Sequence, residues 1–399
     1  MVIFLRKNRM LCVILCGIIL LGTLGNQKVY GEESLSMYSG SYALTDARNH
    51  RVLAGKKETT PMANASTTKI LTCIVALENC KLTEQVKISP NAAKQPKVRL
   101  GVKAGEVYEM KDMLYALMLE SYNDCAVAIA EHVGGSAEGF AKLLNAKAKE
   151  IGCRDTYFIT PNGLDEEDEI SFHHTTAEDL CKIMSYCVWE SPQKDVFLEI
   201  TQTRNYKSYV NRNTFLDQMD GVISGKTGYT SKAGYCYVAA FERDGERFCI
   251  ALLACGWPNN QTYKWKDSRV LLTYGIEKYD LINLKEEKLE EIIKINGSVG
   301  SKKFENLNQS MMLKVSGEGV PIVALARDDE RIEKEVILYT DTNLPVKEGQ
   351  KLGECNYYID GMLLLSISLY AEESASVWSF ADIAKSVLWK YLSFSSQTS

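Results

Sequence analysis

The chain has 399 residues, 46% of them hydrophobic and 24% charged, with a formal net charge of −5. That length accommodates two domains, one with a sizeable core. The lack of a basic excess excludes general affinity for nucleic acid, which depends on releasing counterions from phosphates. At the N-terminus Arg6, Lys7 and Arg9 precede the apolar stretch MLCVILCGIILLGTLG, and Val29 and Gly31 stand before a cut near Glu32. This layout predicts a secretory signal peptide over residues 1–31, since the stretch is shorter than the ~20 residues a span needs. The rest of the chain is therefore expected at the outer face of the cytoplasmic membrane or in the cell wall. Twelve cysteines in an exported chain ordinarily suggest disulfides. Here two lie in the signal, no C-x-x-C occurs, and Cys73, Cys181, Cys249 and Cys255 sit in apolar runs. Cysteine in such runs behaves as a small buried hydrophobe, so free thiols are expected.

Residues 40–57 read as two short strands around a turn at Arg48-Asn49-His50. A helix from Ser66 follows, apolar almost all round at ILTCIVAL, which predicts a buried central helix. MKDMLYALMLESYNDCAVAIAEHVGGS reads as helix, break, helix, stopped by Gly134-Gly135. Two amphipathic helices, EGFAKLLNAKAKEIG and TTAEDLCKIMSYCV, flank a polar, turn-rich loop, DTYFITPNGLDEEDEISFHH. The texture then changes to strand in GVISGKTGYT, GYCYVAAFER and ERFCIALLACGW, the last two joined by a hairpin at Asp244-Gly245. A helix, SRVLLTYGIEKYDLI, closes a domain expected over residues 36–282, with an antiparallel sheet assembled from both ends of the segment. Short alternating runs predict a small all-β domain over 283–372. Residues 373–399 form an amphipathic helix, with Val377, Phe380, Ala384, Val387, Leu388 and Tyr391 on one face and Asp382, Lys385, Ser386 and Lys390 opposite. Tryptophans and lysines on such a helix suit a membrane interface.

Three short motifs carry the chemistry. Ser66 and Lys69 are three apart at a helix start, so the amine reaches the hydroxyl, and a serine gains nucleophilic strength only when a base takes its proton. Ser121-Tyr122-Asn123 lies at the break between two helices. Lys226-Thr227-Gly228 lies on a predicted strand, where glycine allows close approach of a substrate backbone and a lysine beside hydroxyls holds a carboxylate. Each is weak alone: Ser191-Pro192-Gln193-Lys194 and Ser89-Pro90-Asn91 match the first two patterns by chance. SGKTG is not a phosphate loop, because Gly221 lies one residue short of the required spacing before Gly225. The adjacent His173 and His174 lack a His-Glu-x-x-His context and read as structural. No metal and no cofactor are expected.

In order and spacing these motifs resemble those of penicillin-binding proteins and serine β-lactamases, and specifically the low-molecular-weight D-alanyl-D-alanine carboxypeptidases. The resemblance rests on ANASTTKILTCIVALE, SYNDCAVAIAEHVGGS, TYFITPNGLD, HHTTAEDL and GVISGKTGYTSKAGYCYVAAF, and continues through LPVKEGQKLGECNYYIDG into the final amphipathic helix. It implies an α+β fold of the β-lactamase/transpeptidase type, an antiparallel sheet with helices on both faces, followed by a small β domain and a membrane-anchoring helix. It also implies removal of the terminal D-alanine from peptidoglycan stem pentapeptides and acylation by β-lactams. Ser66 would be the nucleophile, Lys69 the general base, and Ser121 a proton relay to the leaving amine. Asn123 would hold the substrate amide, Lys226, Thr227 and Thr230 the terminal carboxylate, and Gly228 would permit close approach. The amides of Ser66 and Tyr229 would form the oxyanion hole. Tyr122 departs from the small residue usual at that place and raises the question of a narrowed cleft. A β-lactamase is disfavoured, since FAKLLN puts Ala141 where a deacylating glutamate is needed. Crosslink endopeptidase and non-catalytic sensor are the remaining alternatives.

Overall fold

The computed structural model describes residues 35–284, 289–295, 298–299, 311–317, 322–339, 344–376, 380–381, 383–385 and 387–388. The expected signal segment, residues 1–31, and Val377 and Tyr391 of the expected anchor lie outside them.

Two distant stretches of chain build one antiparallel sheet. β1 (Ser41–Asp46) and β2 (Val52–Lys56) pair around the predicted turn, and β3 (Val222–Thr230), β4 (Gly234–Arg243) and β5 (Glu246–Leu253) complete the order β2-β1-β5-β4-β3. Asp244 and Gly245 between β4 and β5 both have positive φ, 53° and 86°, the conformation whose twist matches that of the flanking strands. Side chains alternate across a strand, so the sheet has two apolar faces. On one, Ala43, Cys249, Ala251 and Leu253 join the main core.

That core surrounds α1 (Lys69–Asn79), in which every residue from Lys69 to Leu77 is buried. Around it stand α2 (Met110–Tyr115), continued by a wide turn to Glu120, α3 (Asn123–Gly134), α4 (Ala137–Ile151), α5 (Ala177–Ser185) and α6 (Lys194–Gln202). On the opposite face lies α7 (Tyr263–Lys278). A Cβ on its Gly275 would stand 3.0 Å from Phe248 and 3.2 Å from Leu44, so the glycine sets how closely this helix lies on the sheet.

Two local expectations are corrected, and two helices take bounds that no local signal fixed. Ser66 does not open the α-helix but lies in a preceding 3₁₀ turn, Ala65–Thr68, because the chain reverses at Ala65 (φ 50°) and only then becomes helical. Helix α3 starts at Asn123, with Tyr122 as its cap. Helix α7 ends at Lys278, and Asp280–Leu284 is instead strand β6, drawn out by pairing with β9 (Ile322–Ala326). Helix α6 was not foreseen: its buried Phe197, Ile200 and Thr201 make too short an apolar stripe to stand out.

The C-terminal part is all β, as expected. β7 (Leu289–Ile295), β8 (Met311–Gly317), β10 (Ile332–Leu338), β11 (Lys351–Ile359) and β12 (Met362–Ala371) form a sheet in the order β7-β8-β12-β11-β10. It encloses its own cluster, including Leu313, Val315, Leu352, Cys355 and Leu369. Strand β9 and the loop after it are tied to the first hairpin by Arg51, whose Nη1 lies 2.7 Å from Glu330 Oε1 and whose Nη2 donates to the Leu325 carbonyl. Asp46 Oδ2 accepts the Leu325 N–H at 2.8 Å. The ten cysteines among the described residues are free thiols.

Candidate active site

The turn carrying Ser66 is tightly held. Asn64 is buried and donates Nδ2–H to Thr67 Oγ1 (3.0 Å) and Thr68 Oγ1 (2.9 Å), while Thr67 donates back to the Asn64 carbonyl. Ala65 sits in the left-handed region, strained for a residue with a Cβ. Two glycines permit the crowding around it. A Cβ on Gly163 would fall 1.9 Å from the Ala65 carbonyl oxygen, and one on Gly228 would fall 3.0 Å from the Ser66 nitrogen. In a turn of three-residue period, positions i and i+3 eclipse. Lys69 Nζ consequently lies 2.8 Å from Ser66 Oγ.

Lys69 is fully buried, and its amine donates to the Asn162 carbonyl at 2.6 Å and to Asn123 Oδ1 at 2.9 Å. Among the described residues no carboxylate accepts from it. Burial, then the charge of Lys226, push its pKa well below the usual lysine value. The Asn123 amide is oriented from behind, with Nδ2–H donated to the Pro96 carbonyl and its backbone N–H to the Val98 carbonyl. The loop supplying both acceptors is pinned by buried Asp124, which accepts the N–H groups of Leu100 (3.0 Å) and Gly101 (2.7 Å).

Ser121 ends the wide turn with φ 66°, again left-handed. Its Oγ accepts from Lys226 Nζ at 2.9 Å, and the same amine donates to the Thr227 carbonyl at 2.9 Å. Burial lowers the Lys226 pKa to about 7. Strand β3 runs edge-on to the Ser66 turn and places the remaining predicted residues. Gly228 backs onto Ser66, Thr227 is half-buried, and Tyr229 is exposed with its ring 4.7 Å from that of Tyr235. Thr230 is already engaged: its hydroxyl donates to Asp165 Oδ1 at 3.1 Å and accepts the Ala233 N–H. Tyr122 does not point freely to solvent but packs edge-on to Tyr209, ring centroids 6.0 Å apart.

Three residues of the site escaped the motif reading: Asn162, Asp124 and Asn64. Their signals were present as the Pro-Asn-Gly turn in TYFITPNGLD and as the flanks of the first two motifs, but nothing in a sequence marks a backbone carbonyl as a partner for a distant lysine. The chance matches do other work, since Ser89 Oγ caps a helical turn by accepting the Ala92 N–H, and Ser191 donates to Glu78.

A serine whose hydroxyl faces a desolvated lysine belongs to the acyl-transfer class of serine hydrolases in which lysine, not histidine, takes the proton. His173 is otherwise engaged: its Nδ1 accepts the Ile159 N–H at 3.0 Å, its Nε2 meets Thr68 Oγ1 at 2.9 Å, and burial pushes its pKa down to about 3. Residues 28–254 match the D-alanyl-D-alanine carboxypeptidase family, and 285–376 match the penicillin-binding protein 5 C-terminal domain. The chain belongs to the D-alanyl-D-alanine carboxypeptidase family, a family of serine-type hydrolases. It is 27% identical over 401 residues to D-alanyl-D-alanine carboxypeptidase DacF of Bacillus subtilis, covering 97% of this chain and 100% of that protein. Penicillin-binding protein 5 from Haemophilus influenzae shares the fold at 22% identity, TM-score 0.66, over 85% of this chain and 98% of that one. Penicillin-binding protein D2 from Listeria monocytogenes, solved in its cefotaxime-bound form, is 25% identical with TM-score 0.54, over 61% of this chain and 98% of that one.

Proposed function

We propose that the protein removes the terminal D-alanine from peptidoglycan stem pentapeptides through an acyl-enzyme on Ser66. The observation that carries this reading is the hydrogen-bond set of Lys69. A neutral amine has two N–H donors and one lone pair. The Asn162 carbonyl and Asn123 Oδ1 use the two donors, which leaves the lone pair facing the Ser66 hydroxyl at 2.8 Å. Burial lowers the pKa of the amine well below the usual lysine value, in the direction a general base requires.

Lys69 takes the Ser66 proton as Oγ attacks the carbonyl of the penultimate D-alanine. The developing oxyanion lies against the N–H groups of Ser66 and Tyr229, each worth about 3–4 kcal/mol in such sites. Ser121 passes a proton to the departing D-alanine amine, and Asn123 holds the substrate amide. Lys226 and Thr227 bind the terminal carboxylate; Thr230 joins them only by exchanging its bond to Asp165. Water then hydrolyses the ester. β-Lactams acylate the same serine, and their release is slow because the helix bearing Ala141 offers no deacylating glutamate.

The chain is read as a catalytic domain over 36–282, a β domain over 283–372 and an anchor over 373–399. The separate apolar clusters under the two sheets support the first division. Export to the outer face of the membrane follows from the N-terminal signal pattern. No helix among the described residues is long and apolar enough to cross a membrane. Interfacial attachment is supported by the helical residues Phe380, Val387 and Leu388, exposed by 86%, 56% and 61%. Flotation with anionic lipid vesicles should be lost in Phe380→Glu/Leu388→Glu; binding that persists would refute the anchor.

The decisive assay quantifies D-alanine released from a pentapeptide ending in D-Ala-D-Ala, with Ser66→Ala in parallel. Wild-type release that falls about 10⁴-fold or more in the variant is expected. Absence of release from folded wild type would move the reading to crosslink cleavage or sensing.

A further inference from the structure

The two helices that present Lys69 and Asn123 at their N-terminal ends meet again at their other ends. Helix α1 is capped at its C-terminus by Cys80, and α3 carries His132 in its last turn. Between them the chain turns at Lys81–Glu84, closed by the Glu84 N–H to the Lys81 carbonyl at 3.1 Å. Cys80 Sγ, a Glu84 carboxylate oxygen and a His132 ring nitrogen all lie within 4.8 Å of one another. His132 Nε2 is 3.0 Å from Glu84 Oε2. The other carboxylate oxygen accepts the Lys81 N–H at 2.8 Å, which fixes the direction in which Oε2 points.

We propose that Cys80, Glu84 and His132 form a binding site for a zinc-class divalent cation, with water in the fourth position. Tetrahedral zinc, with bonds of about 2.3 Å to sulfur and about 2.0 Å to nitrogen or oxygen, sets its ligand atoms roughly 3.3–3.5 Å apart. The observed cluster reaches that spacing by a shift of about 1 Å in side chains that are partly open to solvent, so the ion can enter and the ligands can close on it. A mixed sulfur, nitrogen and oxygen donor set selects zinc over calcium or magnesium, which take oxygen alone. Both helices end here, and the negative end of each helix dipole favours a cation. The ion would stand far from the reaction. The eleven residues of α1, at about 1.5 Å each, separate the site from Lys69 by roughly 16 Å. Its work is structural: it clips together the distal ends of the two helices whose near ends hold base and amide. The sequence concealed this set, because His132 lies 48 positions from Glu84 and Cys80-x-x-x-Glu84 matches no metal motif.

The test titrates the metal-free full-length protein, kept reduced, with Co²⁺ and then displaces it with Zn²⁺. One equivalent should bind, with tetrahedral visible bands and a thiolate-to-cobalt charge-transfer band. That band should vanish in Cys80→Ser, and Zn²⁺ affinity should fall at least ~100-fold in His132→Ala, as even an outer-shell loss can cost that much. Glu84→Gln, which keeps the acceptor for Lys81, serves as a variant expected to remain folded and bind weakly. Zinc should raise Tm in wild type and in none of the three variants. D-Alanine release by the metal-free variants should match that of metal-free wild type. No stoichiometric uptake, or a charge-transfer band that survives Cys80→Ser, would overturn the proposal and leave an ion pair beside a thiol.

Discussion

The C-terminal hairpin and the turns around Ser66 use the left-handed backbone region in opposite ways. Around β10, β11 and β12 it occurs where a hairpin needs it, at Asp360 and Gly361 (φ 46° and 80°), and it sets strand register. Around the Ser66 turn it occurs at Ala65 and Ser121, residues with side chains, at two of the three catalytic motifs. The same contrast holds for charge. In the C-terminal part the buried polar side chain among the described residues is the uncharged Asn356, whereas the first domain encloses Lys69 and Lys226, for neither of which a carboxylate partner occurs among the described residues. Left-handed residues with side chains and fully buried lysines therefore stand together around the Ser66 turn, as the proposed role of Lys69 as base requires.

The comparison can be broken or sharpened by substitution. The largest effect is expected from Lys69→Ala, which should lower kcat by about 10⁴-fold in the D-alanine assay while leaving the fold intact by circular dichroism. Gly228→Ala should follow, with a Cβ 3.0 Å from the Ser66 nitrogen prising β3 from the nucleophile. The neighbours must give by a few tenths of an ångström, so kcat/KM should fall, by less than the about 10²-fold that a 1 Å misplacement costs, and an unchanged rate would show that this approach is not needed.

In the β region Leu369→Ala should cost about 2–5 kcal/mol in the urea transition of that part. Acylation of Ser66 by a fluorescent penicillin should stay within about 2-fold, since distant sites act independently. A large loss of acylation would instead make the two cores one cooperative unit.

Buried Lys226 predicts a pH effect of definite sign. Its folded pKa is about 7, while the unfolded lysine titrates near the ordinary value of about 10.4. Between these values the unfolded chain binds more protons, so this group makes stability rise with pH. Any stability gained by Lys226→Met at pH 7 should therefore shrink as pH rises to 8.5, on the order of 1 kcal/mol per pH unit. Equal differences in urea midpoint at both pH values would refute the lowered pKa. The smallest effect is expected from Gly361→Ala, whose Cβ meets nothing within 4 Å. It should cost only the left-handed penalty, about 1 kcal/mol, with activity untouched.

Much of this was legible in the residues. The apolar periodicity of α1, the Gly134-Gly135 stop and the Asp244-Gly245 hairpin are local signals, and each element formed where its signal lies. Asp280–Ile282 reads locally as the end of a helix yet is strand, because its partner, β9, lies far along the chain and strand pairing is decided by that partner.

The sequence by itself determined the chemical types at the site: a hydroxyl three residues from an amine, a second hydroxyl with an amide, and a lysine on a glycine-bearing strand. Only the tertiary structure decided that they meet, across 54 positions between Lys69 and Asn123 and 105 between Ser121 and Lys226. It also supplied the Asn162 carbonyl and the burial that lowers the Lys69 pKa. Residue type and spacing fix which bonds a side chain is able to make. Desolvation and the facing partner come from packing around it, and these are what the proposed role of Lys69 as a base draws on.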